Sequence, residues 1–381
     1  MKSNSLFSAA LMSSLGLTVA LGLSSCSASN ETDSTTTGDR TTTGDSTATE
    51  GSSGGPVSGT LDGAGSSAQE AAMAAWKAGF QGANPDATVN YDPSGSGSGR
   101  EQFIAGGVQF AGSDAYLSDD ELAAATKTCG SDPIEVPVYV SPIAVPYNLE
   151  GVDDLQLSPD TLAQVMAGKI TNWDDPAIKA ENPAADLPDT AITPVHRSDE
   201  SGTTENFTDY LSQVAQNDWP YEVDGIWPIK SGEAAEGTSG VVSAITEGDG
   251  TIGYADASQA GDLSHALIKV GSEYVEPTAE AAAAILDESE PVSGRASTDL
   301  AIDVNRTTAA SGVYPIVLVS YQITCSSYPS QEEADLVKAF ESYVISSDGQ
   351  DAAAQQAGSA PITDAIREKA QAAIDTISAT K

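Results

Sequence analysis

The chain has 381 residues, enough for one large domain or two ordinary ones, and its 40% hydrophobic content allows a sizeable core. A formal net charge of −39, from 55 acidic against 16 basic residues, repels nucleic acid and anionic headgroups, which excludes both as partner surfaces. Two histidines (His196, His265) and three cysteines (Cys26, Cys129, Cys325) have no zinc or CxxC spacing, so neither a metal nor a cofactor is expected.

In chain order, residues 1–25 read as a targeting segment. Lys2 supplies a positive start, and residues 6–23 are apolar but broken by serines, too short and too weak for a transmembrane helix. Leu23-Ser24-Ser25-Cys26 resembles the lipobox of bacterial lipoproteins, which implies cleavage before Cys26 and acylation of its thiol. Residues 27–56, after Cys26, are mostly Ser, Thr, Gly and Asp with almost nothing apolar, and Thr35-Thr36-Thr37-Gly38-Asp39 is echoed at 41–45; such a stretch cannot bury a core, and 26–56 reads as a lipidated cysteine and tether. The expected location is the outer face of a bacterial membrane, with the lipid as the sole membrane contact. Exported thiols tend to be oxidised, so Cys129 and Cys325 are expected to form one disulfide, with two separate buried thiols as the other reading.

From Val57 onward, strand-like and helix-like patterns alternate. Residues 57–61 predict a strand. Ala68, Ala71, Ala72, Ala75, Trp76, Gly79 and Phe80 then share one helix face. Residues 88–91 predict a strand, a helix begins near Gly99, and 108–112 return as a strand. The apolar run 136–147 is extended; helices follow over 159–167 and 204–214. Residues 316–323 are a β-branched late strand, and helices over 331–344 and 361–377 close the chain. This alternation predicts an α/β fold with mainly parallel sheets.

Three glycine- and hydroxyl-rich loops each lead into a predicted helix: Gly63-Ala64-Gly65-Ser66-Ser67, Ser94-Gly95-Ser96-Gly97-Ser98-Gly99, and Arg197-Ser198-Asp199-Glu200-Ser201-Gly202-Thr203. Ser67 with Glu70, and Ser98 with Glu101, have capping-box spacing. A helix N-terminus offers free N–H donors and a partial positive charge, which suits an oxyanion. One such loop alone is more often an ordinary capped turn; three together with Arg197 point to a tetrahedral anion. Neither glycine run completes a nucleotide fingerprint, and no Walker lysine occurs. Ser201, His196 and Asp199 lie too close in sequence for a hydrolase triad, and no nucleophile elbow is present.

Residues 57–381 resemble the phosphate-binding protein of bacterial ABC phosphate importers. The resemblance rests on Gly63-Ala64-Gly65, Val89-Asn90-Tyr91 before Gly95-Ser96-Gly97, and Phe110-Ala111-Gly112-Ser113-Asp114. It continues through Gly168-Lys169-Ile170, Trp173-Asp174-Asp175, the loop 197–203 and Gly253-Tyr254. It implies a two-lobed type II periplasmic-binding-protein fold with a hinge and an interlobe cleft. Lobe 1 would be 57–140 plus 312–381, and lobe 2 would be 141–311. The ligands implied are Ser67, the Ala68 backbone, Ser96, Asp114, Arg197, Ser201, the Gly202 backbone and Thr203, with Asp199 orienting Arg197. Ala68 stands where the family commonly has phenylalanine. The expected partners are inorganic phosphate and the permease and ATPase subunits of an importer, the expected state a monomer, and no enzymatic activity is expected. The alternatives are a binder of sulfate, molybdate or a phosphonate, a secreted phosphomonoesterase, or a surface adhesin.

Overall fold

The structure is a computed structural model that describes residues 56–380; the expected signal peptide, Cys26 and almost all of the tether lie outside them. The chain begins with β1 (Gly59–Gly65), α1 (Glu70–Ala83), β2 (Ala87–Asp92), α2 (Ser96–Ile104), β3 (Phe110–Ser113), α3 (Asp119–Cys129) and β4 (Pro133–Ala144). Then come β5 (Pro146–Asn148), β6 (Gln156–Leu157), α4 (Pro159–Met166), α5 (Pro176–Glu181), β7 (Thr193–Arg197), α6 (Gly202–Val214), β8 (Glu233–Ala235), α7 (Gly237–Glu247) and β9 (Thr251–Ile252). Next are β10 (Ala255–Asp256), β11 (Ser264–His265), β12 (Leu267–Val270), β13 (Glu273–Val275), α8 (Ala279–Ala283), β14 (Glu290–Pro291) and β15 (Ile302–Asp303). The chain closes with β16 (Val317–Cys325), β17 (Ser327–Tyr328), α9 (Gln331–Ile345), α10 (Ser347–Ala357), β18 (Ala360–Pro361) and α11 (Asp364–Ile374).

Two sheets dominate. The larger runs β10-β4-β16-β3-β1-β2, with β18 also on β4; the smaller runs β11-β5-β9-β7-β8. The expectation of mainly parallel sheets needs correction. β1 pairs in parallel with β2 and β3, but β16 is antiparallel to both β3 and β4, and β10 and β18 are antiparallel to β4. The reason is topological: β16 arrives from the far end of the chain and wedges in reverse between two strands that run the same way. In the smaller sheet β7 is parallel to β8 and β9, whereas β5 is antiparallel to β9 and β11.

The chain passes from the larger sheet to the smaller between β4 and β5, touches the larger again at β10, re-enters the smaller at β11 and rejoins the larger at β16. Every residue of β4 is buried, the continuous run of a strand covered on both faces. α1 buries Ala72, Met73, Trp76 and Phe80, and Phe80 meets Phe340 of α9 edge to face at 5.3 Å. A disulfide joins Cys129, at the end of α3, to Cys325, at the end of β16. α10 was not foreseen: only Ser346 separates it from α9, so the two helical patterns run together in sequence. β13 belongs to a separate three-stranded sheet, β13-β12-β6, and the segment after it lies along β4, where Glu135 N–H donates to Thr298 O at 3.2 Å and Leu300 N–H to Glu135 O at 2.8 Å. Among the described residues, no helix is long and apolar enough to cross a membrane.

Candidate anion-binding site

The three loops singled out by sequence meet in one cleft between the two sheets. On the larger-sheet side, Asp114 follows directly on β3 and is 2% exposed. Its Oδ2 accepts from Ser66 Oγ at 2.5 Å and Ser96 Oγ at 3.5 Å, and its Oδ1 accepts from Ser320 Oγ at 2.8 Å. Burial pushes this carboxyl above the usual range, against the Ser66 and Ser320 hydroxyls, the nearby Arg197 charge and Ser96. Asp114 does not cap the following turn. Leu117 N–H goes to Glu135 Oε1 at 2.8 Å, and Ser118 forms its own capping box with Glu121 at the start of α3.

Two local expectations are corrected here. The Ser67–Glu70 capping box does not form: Ser66 Oγ takes the N–H groups of Ala68 (3.1 Å) and Gln69 (3.2 Å), and α1 starts only at Glu70. Ser67 Oγ instead reaches α7, lying 3.1 Å from Thr238 Oγ1 and accepting Thr238 N–H at 3.1 Å. Nor does the Ser98–Glu101 box form. α2 starts at Ser96, two residues earlier, so Ser98 lies inside the helix and accepts from Gln102 Nε2 at 3.2 Å.

On the smaller-sheet side, β7 ends at Arg197, which is 3% exposed. Its Nε donates to Asp199 Oδ1 at 2.8 Å and its Nη2 pairs with Asp199 Oδ2, while Nη1 takes no hydrogen bond among the described residues. Asp199 Oδ1 also accepts Gly237 N–H at 3.1 Å. Burial pushes Asp199 up, but Arg197 and that N–H outweigh it and hold the carboxyl below the usual range. Gly237 has φ +67°, which brings its N–H to Asp199 where a side chain would be strained. Ser201 caps α6 by accepting Thr204 N–H at 3.2 Å. Gly202 and Thr203 are the first residues of that helix, where N–H groups have no intrahelical acceptor. Thr203 Oγ1 is buried without a hydrogen-bond partner among the described residues.

The two sides approach closely. A Cβ on Gly202 would lie 2.6 Å from Ser96 Oγ and 2.9 Å from Asp114 Cβ, so only glycine lets α6 come this near. Asn206 Nδ2 donates to Asp114 O at 2.7 Å and Gly97 N–H to Glu200 O at 3.4 Å. Ser67, Ala68, Ser96, Asp114, Arg197, Ser201, Gly202 and Thr203 therefore line or adjoin one cleft, although the Ala68 N–H is already engaged by Ser66.

Four contributors escaped sequence reading. Ser66 and Ser320 hold Asp114, Thr238 holds Ser67, and Gln259 Nε2 donates to Ser67 O and Ala68 O, each at 2.9 Å. A signal existed for Thr238. Glu236-Gly237-Thr238-Ser239-Gly240 has the same small, hydroxyl-rich character as the other three loops and also opens a helix. None existed for Ser320, a lone hydroxyl in a β-branched strand.

Chemically, the cleft presents donors on one side and an acceptor, Asp114, on the other. Ser201 Oγ is engaged as a helix cap, His196 Nδ1 lies 3.0 Å from the Arg197 carbonyl, and Asp199 is bound to Arg197 and Gly237, so these three do not form a triad. Among the described residues, no cluster of His, Cys, Asp or Glu could hold a metal.

Residues 50–348 match the PBP superfamily domain. A curated relative, phosphate-binding protein PstS3 of Mycobacterium bovis, is 38% identical over 324 residues, covering 84% of this chain and 86% of the relative. Phosphate-binding protein PstS 3 of Mycobacterium leprae is 36% identical over 326 residues, covering 84% and 87%. Among solved structures, the high-affinity periplasmic phosphate-binding protein PfluDING, bound with phosphate, aligns with a TM-score of 0.66 at 24% identity, covering 82% of this chain and 93% of that one. A putative phosphate ABC transporter substrate-binding protein from Clostridium perfringens aligns at 0.58 with 19% identity, covering 80% and 100%.

Proposed function

We propose, for a chain that belongs to the PstS family of phosphate-binding proteins, that a single phosphate is held in this cleft between Asp114 and the N-terminus of α6. The family is one of non-enzymatic solute-binding proteins, and the chain captures phosphate outside the cytoplasm for ABC-type import. The observation that carries the site assignment is the pairing of a buried, unpartnered Thr203 hydroxyl and a free Arg197 Nη1 with a buried acceptor, Asp114, across the same gap. A tetrahedral anion that keeps one proton matches that pattern. Its oxygens accept from Arg197, the N–H groups of Gly202 and Thr203, and the hydroxyls of Ser96, Ser201 and Thr203, while its own hydroxyl donates to Asp114; Ser67 adjoins the ligand with its hydroxyl already engaged by Thr238. The Ala68 N–H would join only by sharing its bond to Ser66. The overall charge of −39 does not oppose this, because bulk charge is screened beyond about 8–10 Å at physiological salt.

In this reading one lobe is built on the larger sheet and the other on the smaller, with the chain segments that cross between them as hinge. The segment 279–303 moves with the larger sheet because it packs on β4. Acylated Cys26 and the 26–56 tether hold a monomeric binding protein at the membrane beside its permease and ATPase subunits. A Cys26→Ser variant that still sediments with membranes would remove the anchor.

The site is tested by isothermal titration of the purified protein with phosphate, arsenate and sulfate. Phosphate and arsenate should bind and sulfate should not compete. Sulfate binding as tightly as phosphate would overturn the assignment, and hydrolysis of a chromogenic phosphate ester would revive the esterase alternative.

A further inference from the structure

Beside the three loops lies a buried cation that neither they nor the resemblance pointed to. Arg100 stands one turn past Ser96 on α2 and is 4% exposed. An arginine so deeply buried is held by its partners, since its charge loses water on entering the interior. Two donors stay on its own side of the cleft: Nε goes to Glu121 Oε1 at 2.7 Å, and Nη1 goes to Ser113 Oγ, beside Asp114, at 3.1 Å. The third group, Nη2, faces the opposite side. It lies 3.6 Å from Glu200 Oε1 and 3.5 Å from Glu205 Oε2.

Those two carboxylates bracket the candidate site. Glu200 precedes the Ser201 cap, and Glu205 belongs to the first turn of α6, whose leading N–H groups face the proposed ligand. Negative charge there competes with a bound anion for the same helix end. Three carboxylates around one guanidinium also leave the cluster short of positive charge. Burial pushes Glu205 up to about 7 even with Arg100 drawing it down, and Glu121 and Glu200 push it further up. Glu121 is instead held below the usual range, since Arg100 and Ser118 outweigh its burial. Arg100 is thus shared across the gap between a site-bearing helix of each side, α2 and α6.

We propose that Arg100 is a positioning residue for phosphate retention: it ties α2 to the first turn of α6 and offsets the Glu200 and Glu205 charges next to the bound anion. The proposal rests on the reading that the cleft holds phosphate. Its specific content is that Arg100 acts through Glu200 and Glu205, across the cleft, and not merely through Glu121 and Ser113 within one side.

The test measures phosphate affinity and dissociation rate for the full chain, Arg100→Gln, Arg100→Lys, Glu205→Gln and the double variant Arg100→Gln/Glu205→Gln. Arg100→Gln should weaken phosphate binding by about tenfold or more, mainly through faster dissociation, because the lost contacts form only with the cleft shut. Arg100→Lys should recover part of it, since the charge remains and the fork is lost. At a pH above the raised Glu205 value, where that carboxyl is ionised, the double variant should bind more tightly than Arg100→Gln alone, because the charge left uncompensated beside the anion is gone. A purely one-sided structural role predicts no such rescue, and that result would overturn the proposal. So would unchanged affinity and dissociation in a folded Arg100→Gln or Arg100→Lys; should Arg100→Gln fail to fold, Arg100→Lys and Glu205→Gln carry the comparison. A wild-type protein that does not bind phosphate would sink the functional reading itself, an outcome distinct from normal wild-type binding with indifferent variants.

Discussion

The two walls of the cleft use aspartate in opposite ways. On the smaller-sheet wall, Asp199 is held below the usual carboxylate range because Arg197 and a backbone N–H outweigh its burial; it stays charged and aims the guanidinium. On the larger-sheet wall, Asp114 is pushed above that range by burial even though three serine hydroxyls donate to it. One wall thus supplies fixed positive charge and N–H donors, and the other supplies a buried acceptor. Asp199 serves the protein's own arginine, whereas Asp114 has no cationic hydrogen-bond partner among the described residues and is left to meet whatever enters. The contrast implies that attraction and discrimination are built on different walls.

Breaking the attractive wall should have the largest effect. Charge-assisted hydrogen bonds contribute roughly 1.5–3 kcal/mol each, and a guanidinium can make two parallel ones. Arg197→Ala should therefore weaken phosphate binding by about 100-fold or more in a calorimetric titration. Arg197→Lys should recover only part of that, because the planar fork that fits both Asp199 and an oxyanion is lost. Equal affinities for wild type and Arg197→Ala would take the residue out of the site and leave the donor wall to the α6 N-terminus alone.

Altering the other wall should change selectivity more than affinity. An ionised carboxylate donates nothing, so a fully deprotonated anion such as sulfate leaves two acceptors facing each other at Asp114. Asp114→Asn supplies an N–H donor at the same place. Sulfate should then compete measurably, with its affinity rising by about tenfold or more, roughly 1–2 kcal/mol, while phosphate affinity changes less. An unaltered phosphate-to-sulfate ratio in this variant would mean that Asp114 holds the wall together without reading the ligand. The two variants make a pair: one loses binding and keeps discrimination, the other does the reverse.

Much of this was legible because each signal was local. The runs behind β2, β4 and β16 are β-rich over most of the strands' lengths, whereas β1 runs past the expected end at residue 61 to Gly65, through what reads in sequence as the first glycine loop; Ser201 caps α6 close to where the loop 197–203 suggested. What could not be read was non-local. The reversal of β16 depends on where a strand from the far end of the chain inserts, which periodicity does not encode. Ser320 matters only because that insertion brings its hydroxyl to Asp114, 206 residues away in sequence. The two misread capping boxes share a cause: S-x-x-E spacing permits the motif, but Ser66 claimed the first set of N–H groups and an earlier start of α2 displaced the second. The capping box that does form, Ser118 with Glu121, had the same spacing and opens a helix that was not expected.

The smallest expected effect sharpens the comparison at the seam between the walls. Ser67 follows Ser66 directly, yet the two hydroxyls face different walls: Ser66 donates to Asp114, and Ser67 meets Thr238 at the start of α7. A neutral hydrogen bond contributes about 0.5–1.5 kcal/mol net, so Ser67→Ala should weaken phosphate binding only several-fold. Two routes lead to that loss. If Ser67 acts by donating to phosphate, Thr238→Val should leave affinity nearly unchanged, and the losses of the double variant should add. If it acts by joining α1's approach loop to α7, each single variant should lose a similar amount and the double variant little more than either. The close contact of both Ser67 Oγ to Thr238 Oγ1 and Thr238 N–H to Ser67 Oγ favours the second route, with a coupling of about 0.5–1 kcal/mol in a double-mutant cycle. Additive losses across that cycle would instead return Ser67 to the donor set, and the seam would then belong to the ligand and not to the lobes.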